Sequence, residues 1–421
     1  MYIFSLILFK ITLDFSYIYF LTEVYAYEGF LLKYSSSSLF FSWIAVGISI
    51  IFTNKLYRKV SDYVLLMFPI SLIFPLSTLY GLGGRGAEAL ICTVIFQITL
   101  FYFVRIKIPK VSLPYVNHGE AIIVRGSIIS VFLIILWLFI TGAAFNLNFD
   151  LTKVYEYRQV NAELSSFGLF AYINNWVYQI INVFLIAYFY KNKKFKKMLI
   201  FVMIQVFFFA VSAHKSILFY PILVIGIGFY FERYKTLSVI LFGVIFIIVT
   251  SFILYFFFDD VVPASMFIRR VFFIPAMLSD EYFMFFSSNE FVYWSNSILS
   301  GLIDYPYDMR MTKLIGYQMG TEASANNGLI SSGFAHFGYI GIAIYVLLFC
   351  FLIKIIDEFS SDSSMKWLGL ALTIVPIRAA LISSDLPTTL LTHGLLVSIF
   401  ILYFLREGNE SLTHNHSAPK I

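Results

Sequence analysis

The chain has 421 residues, of which 60% are hydrophobic, 20% aromatic and only 13% charged, and its mean hydropathy is +0.85. A soluble domain carries about 25% charged residues, so this composition excludes a water-soluble enzyme, a disordered chain and a secreted disulfide scaffold. The class that remains is a polytopic, all-α membrane protein. The net charge of +5 arises from 29 Lys+Arg against 24 Asp+Glu, and in such a chain the excess mainly sets topology. Cys92 and Cys350 lie inside apolar runs and read as small core hydrophobes, not as a bridge or metal pair.

A helix needs about 20 apolar residues to cross about 30 Å of hydrocarbon, where it satisfies its own backbone. The pattern predicts about twelve transmembrane helices, at residues 2–22, 38–53, 63–80, 87–104, 122–143, 168–190, 198–213, 216–231, 237–258, 334–353, 367–384 and 388–405. Val24-Tyr25-Ala26 has the small residues of a cleavage site, yet no early basic residue precedes it and Lys10 interrupts the apolar core, so the first segment reads as a retained span. Cations cluster after every second span: Lys55, Arg58 and Lys59; Arg105, Lys107 and Lys110; the run from Lys191 to Lys197; Arg233 and Lys235; Lys354 and Lys366; Arg406 and Lys420. Those clusters hold 17 of the 29 cations, against nine on the opposite side, which places both termini in the cytoplasm.

The expected organisation is nine helices over 1–258, a large non-cytoplasmic loop over 259–333, three helices over 334–405 and a cytoplasmic tail over 406–421. The loop is 75 residues long, and long loops carry function more often than packing. Residues 144–167 form a second outer loop, while 105–120, with Pro109 and Pro114, read as an extended cytoplasmic linker.

Gly81-Leu82-Gly83-Gly84-Arg85-Gly86 matches a dinucleotide fingerprint in letters only, because it follows a membrane helix and not a strand. It reads either as a plain tight turn or as an anion site of backbone N–H groups beside the Arg85 guanidinium. The hairpin tip Ser212-Ala213-His214-Lys215-Ser216 puts a histidine and an ammonium at the outer interface, for substrate or for lipid headgroups. The long loop opens with Asp259 and Asp260, then runs through Arg269-Arg270 to Tyr282-Phe283-Met284-Phe285-Phe286, so aromatic segments lie along the membrane surface or over the bundle mouth. With four cations against eight acids in the loop, any anion site is focused on Arg269 and Arg270. Asp280 with Glu281, and Asp304 with Asp308, lack a clear ligand pattern and read as solvated acids; no metal site is expected.

Asn326-Asn327-Gly328 leads to Gly333-Phe334-Ala335-His336, and small residues at 333, 335, 338 and 341 allow close helix approach. His336 then falls near the outer mouth, as a proton acceptor or as a packing residue. Arg378 lies mid-span beside Pro376, with Asp385 at the outer end of that span. An arginine at membrane depth costs about 2.5–3.5 kcal/mol, so it faces a polar cavity or a partner, Asp385 being one choice.

Many spans without a cytoplasmic catalytic domain, a large late outer loop with an Arg-rich start, Asn326-Asn327-Gly328 before Gly333-Phe334-Ala335, and Arg378 with Asp385 together resemble the Wzy-type O-antigen or capsule repeat-unit polymerases. The likeness is sharpest over 212–390, and the His214-Lys215-Ser216 tip and the Arg270–Pro275 segment also look like family features. The resemblance implies a GT-C-like fold in the bacterial inner membrane, with undecaprenyl-pyrophosphate-linked oligosaccharide as donor and acceptor. It further implies transfer at the periplasmic face, no nucleotide sugar, no cofactor and no metal. A flippase and a chain-length regulator are the implied protein partners, membrane lipids are also expected, and nucleic acid is not.

On that reading, Arg270 and Arg378, with Arg85, Arg269 and Lys215, stabilise charge developing on the diphosphate leaving group. His336 is the first choice of base, His214 the second, and Asn326, Asn327 and Asp385 bind substrate. Two rivals share the sequence features: an O-antigen ligase, which uses the same kind of donor, and a lipid-linked oligosaccharide flippase. The second fits less well, since no repeat-related halves are visible.

Overall fold

The computed structural model describes residues 1–107, 113–150, 154–362 and 365–406; the tail 407–421, Pro109, Lys110 and Lys153 lie outside the described residues. In chain order the helices are α1 (Tyr2–Val24), α2 (Ser36–Ile51), α3 (Val60–Gly83), α4 (Glu88–Phe103), α5 (Gly119–Ile140), α6 (Val154–Ser165), α7 (Phe170–Lys191), α8 (Phe195–Ser212), α9 (Lys215–Phe231), α10 (Ser238–Phe258), α11 (Val261–Phe286), α12 (Met311–Gln318), α13 (Leu329–Phe359), α14 (Lys366–Ile382), α15 (Leu386–Leu391) and α16 (Leu395–Leu405). Among the described residues the only β pairing is an isolated bridge between Leu56 and Thr236. Helices α1, α3, α5, α7, α8, α10, α11 and α13 are long and apolar enough to cross a membrane, and α2, α4, α9 and α16 are apolar but shorter. The chain is an all-helical, multi-pass membrane protein.

Seven of the eight long helices coincide with expected spans; α11 lies where the sequence suggested loop. Its charges break any uncharged run of spanning length, and all but Arg270 are paired: Arg269 with Glu28, and Asp280 and Glu281 with Arg85. The second expected outer loop likewise contains α6.

The chain divides into two compact units, one of Met1–Ile106, Thr236–Lys354 and Ile377–Pro387, the other of Lys107–Lys235, Ile355–Pro376 and Thr388–Ile421. At one end of the first unit, Leu237 N–H donates to Lys55 O at 3.0 Å, Lys59 Nζ to Val104 O at 3.2 Å and Lys354 Nζ to Phe103 O at 3.4 Å. At its other end, Lys33 N–H donates to Leu82 O at 2.8 Å and the Tyr17 hydroxyl to Leu31 O at 2.8 Å. Helix α11 is tied to this second end by both of its halves, through Glu28 and through Arg85. Its length would let it cross, but its two charged anchors lie at the same end of the unit.

Two features shape α11 locally. Residues Ser265–Phe273 form a π-helical stretch, and Pro275 follows, with no N–H to give to the preceding turn. Phe272 packs its ring against Phe9 at 5.5 Å, and Phe273 meets Tyr17 at 5.7 Å. Lipid tails are as apolar as these rings, so such contacts stabilise by close packing and not by leaving water.

Helix α13 is broken at Phe337 (φ −147°, ψ 27°) and Gly338 (φ 58°, ψ −139°). The short arm before the break folds onto the long one so closely that a Cβ on Gly341 would lie 1.9 Å from the Gly333 carbonyl oxygen. The close approach expected of the small residues therefore occurs inside one element. In the second unit, α7, α8 and α9 pack together around a buried Asn182–Gln205 hydrogen bond of 2.5 Å.

Candidate functional site

The first unit carries most of the expected site residues at the end where α11 is anchored. Arg85 follows α3 in a turn that Gly84 closes at φ 65°, a left-handed conformation suited to glycine. Its Nη1 lies 2.6 Å from Glu281 Oε1 and 3.4 Å from Asp280 Oδ2, and the Gly86 backbone N–H also donates to Asp280. The turn does hold an anion, but the anion belongs to the chain. Burial opposes charge on Arg85, yet Glu281 and then Asp280 outweigh it and raise its pKa above the usual arginine range.

Arg269 is engaged in the same manner. Its Nε donates to Glu28 Oε2 at 2.8 Å and its Nη2 to Glu28 Oε1, a two-pronged pair, while the guanidinium lies 4.2 Å from the centre of the Tyr25 ring. Arg270, one residue on, is exposed, and among the described residues no hydrogen bond or ion pair joins its guanidinium. Both arginines line a cavity of about 600 Å³ with Tyr27, Glu28, Met277 and Thr321. With Arg269 neutralised by Glu28, Arg270 is the uncompensated charge of this cavity.

His336 ends the short arm of α13 and is wholly buried. Its Nδ1 accepts the Trp294 backbone N–H at 3.1 Å, which leaves the proton of the neutral ring on Nε2, 3.3 Å from Asp385 Oδ2. The other oxygen of Asp385 accepts from the Tyr345 hydroxyl and from the Leu386 N–H, each at 2.7 Å; Trp294 Nε1 in turn donates to the Tyr345 oxygen at 2.8 Å. Both histidine nitrogens are thus occupied, and the group that reaches the surface is Asp385, whose side chain is 17% exposed. Tyr293 and Trp294 hold φ of 51° and 56°, strained values for non-glycine residues. Ladder-like bonds fix them there, from Val292 N–H to Ala335 O at 2.8 Å and from Tyr293 N–H to His336 O at 3.1 Å.

Several expectations change. Asp385 pairs with His336 and Tyr345, not with Arg378. Arg378 is exposed and interacts electrostatically with Tyr63. Tyr63 lies near the start of α3 and Gly83 at its end, about 30 Å away at 1.5 Å per residue, so Arg378 does not join Arg85, Arg269 and Arg270. Asn327 is a tether: its buried Nδ2 donates to Ser331 Oγ at 3.0 Å and Ser279 Oγ at 3.1 Å, fastening the turn to α11. Asn326 is exposed beside it.

His214 and Lys215 belong to the second unit, at the tip between α8 and α9. Helix α6 holds that tip, through Asn161 Nδ2 to Val211 O at 2.7 Å and Arg158 Nη2 to Ala213 O at 3.2 Å. His214 is exposed at the tip, yet crowding by neighbouring groups, and after it the charge of Arg158, lower its pKa to about 4, so the ring is neutral at physiological pH.

The sequence reading missed Trp294 and Tyr345, which carry no motif and are found only through their bonds. It also passed over Lys10, noted there as an interruption of an apolar run. Lys10 is fully buried in α1, 2.5 Å from Asp14 Oδ1 and 2.8 Å from Thr78 Oγ1. Spacing of four on a helix is the signal that could have found the Lys10–Asp14 pair. Among the described residues no group of His, Cys, Asp and Glu could hold a metal ion. No family model, curated protein or solved structure matches the chain.

Proposed function

We propose that this protein is a Wzy-type polymerase that joins oligosaccharide repeat units carried on a polyprenyl diphosphate, at the non-cytoplasmic face of a bacterial inner membrane. The observation that carries the reading is the uncompensated Arg270 guanidinium in a cavity of about 600 Å³, in the same unit as the Asp385–His336–Tyr345 cluster. Breaking the sugar–diphosphate bond places negative charge on the leaving group. A guanidinium held in position stabilises that charge better than water does, because it needs no reorganisation during reaction. Arg269 and Glu28 then orient Arg270 and shape the cavity, and Arg85 anchors α11 through Asp280 and Glu281.

The acceptor hydroxyl must lose a proton as it attacks. Asp385 suits that role through its partial exposure, with His336 and Tyr345 fixing its two oxygens, so His336 acts as a positioning residue and not as the base. Alanine at Arg270 should abolish long chains while the protein remains in the membrane; unchanged polymer length on a gel would reject the assignment.

One observation favours a transporter as the second reading. A charged pair within an apolar helix, as at Lys10–Asp14, is characteristic of ion or proton pathways. Repeat units accumulating outside the membrane of a deletion strain support the polymerase, and accumulation inside supports the transporter.

A further inference from the structure

The first unit offers a feature that the headgroup chemistry leaves unused. Helices α1 and α10 pack side by side and leave a furrow of about 320 Å³ lined by Ile11, Phe15, Val249, Phe252, Ile253 and Phe256, with Thr12 its one polar residue of note. Ile11, Phe15, Val249, Ile253 and Phe256 are all exposed along it. Both walls lead to the Arg270 cavity. Beyond α1 the chain reaches Tyr27 and Glu28, and beyond α10 it reaches Arg269 and Arg270, four residues that line that cavity. A ladder of rings joins the two: Phe252 to Phe20 at 6.4 Å, Phe20 to Tyr25 at 5.6 Å and Tyr25 to Tyr27 at 6.0 Å, with Arg269 over Tyr25.

We infer that this furrow seats the hydrocarbon tail of the lipid whose diphosphate meets Arg270. The inference rests on the function proposed above and adds where the tail lies. An apolar trough whose two walls continue along the chain to an uncompensated cation is complementary to a molecule with a long apolar chain and an anionic head. A single furrow between two helices receives one chain, which a polyprenyl diphosphate has and a two-tailed phospholipid does not. Tail contacts here would hold the head in the cavity by apolar packing, leaving Arg270 free for the charge that develops at the phosphate.

The test is photolabelling of the full-length protein in nanodiscs with farnesyl diphosphate bearing a benzophenone at its tail. The expected result is adducts within residues 11–15 and 249–257, lost in Ile253→Trp, which fills the furrow, and reduced on the order of tenfold in Arg270→Ala, as for one lost charge-assisted contact. Unlabelled farnesyl diphosphate should compete in the wild-type protein, and phosphatidylglycerol should not. Inorganic diphosphate should still bind Ile253→Trp, which separates tail from head. Arg270-dependent binding with adducts elsewhere overturns the furrow and leaves the proposed reaction standing. Competition by phosphatidylglycerol also overturns it, marking the furrow as a site for bulk lipid. Binding that ignores Arg270 altogether overturns the headgroup site, and the reaction with it.

Discussion

Adjacent arginines in α11 have opposite fates: Arg269 is held by Glu28 and Tyr25, while Arg270 is left open to the cavity. Alanine at Arg270 is therefore expected to cost about 3 kcal/mol of transition-state stabilisation, roughly a hundredfold in turnover, with the melting temperature unchanged. Alanine at Arg269 should instead lower the melting temperature, because it strands Glu28, and Glu28→Gln in the same chain should recover part of the loss. Arg378 stands apart from the cavity, so Arg378→Ala should reduce turnover far less than Arg270→Ala in the same assay. At the second cluster, Asp385→Asn should abolish turnover at every pH. His336→Gln should leave residual activity with a displaced pH profile, which loss of packing alone would not displace.

At the scale of elements, the break in α13 places His336 where Trp294 can hold it, and Gly338 permits the break at φ 58°. Gly338→Ala is expected to cost about 1–3 kcal/mol through backbone strain, read as a lower melting temperature in detergent. The regular helices were largely legible in the sequence, since a run such as Ser238–Phe258 is apolar throughout. Helix α11 was not, because Arg269, Asp280 and Glu281 look like loop charges until Glu28 and Arg85 are seen to neutralise them from more than 190 positions away in the chain. The same limit applies to the cluster: His336 and Asp385 were visible as singletons, but their partnership, and the parts of Trp294 and Tyr345, exist only through long-range contact.

For the whole molecule, Lys55, Lys59 and Lys354 share one end of the first unit, and Arg85 and Arg269 take the other. Because both halves of α11 are tied to that second end, single cysteines at Asp259 and Ser288 should label from the same side; labelling from opposite sides would mean that α11 crosses. Cutting the tie with Arg85→Ala leaves Asp280 and Glu281 without their cation, at a cost of about 3 kcal/mol that thermal unfolding would register. The reaction itself is tested most directly by incubating the purified protein with a lipid-linked repeat unit and resolving the glycans by length. A ladder of extended chains with wild-type protein, and roughly a hundredfold slower extension with Arg270→Ala, is the predicted outcome. No extension by the wild type, or an equal ladder from both proteins, would contradict it.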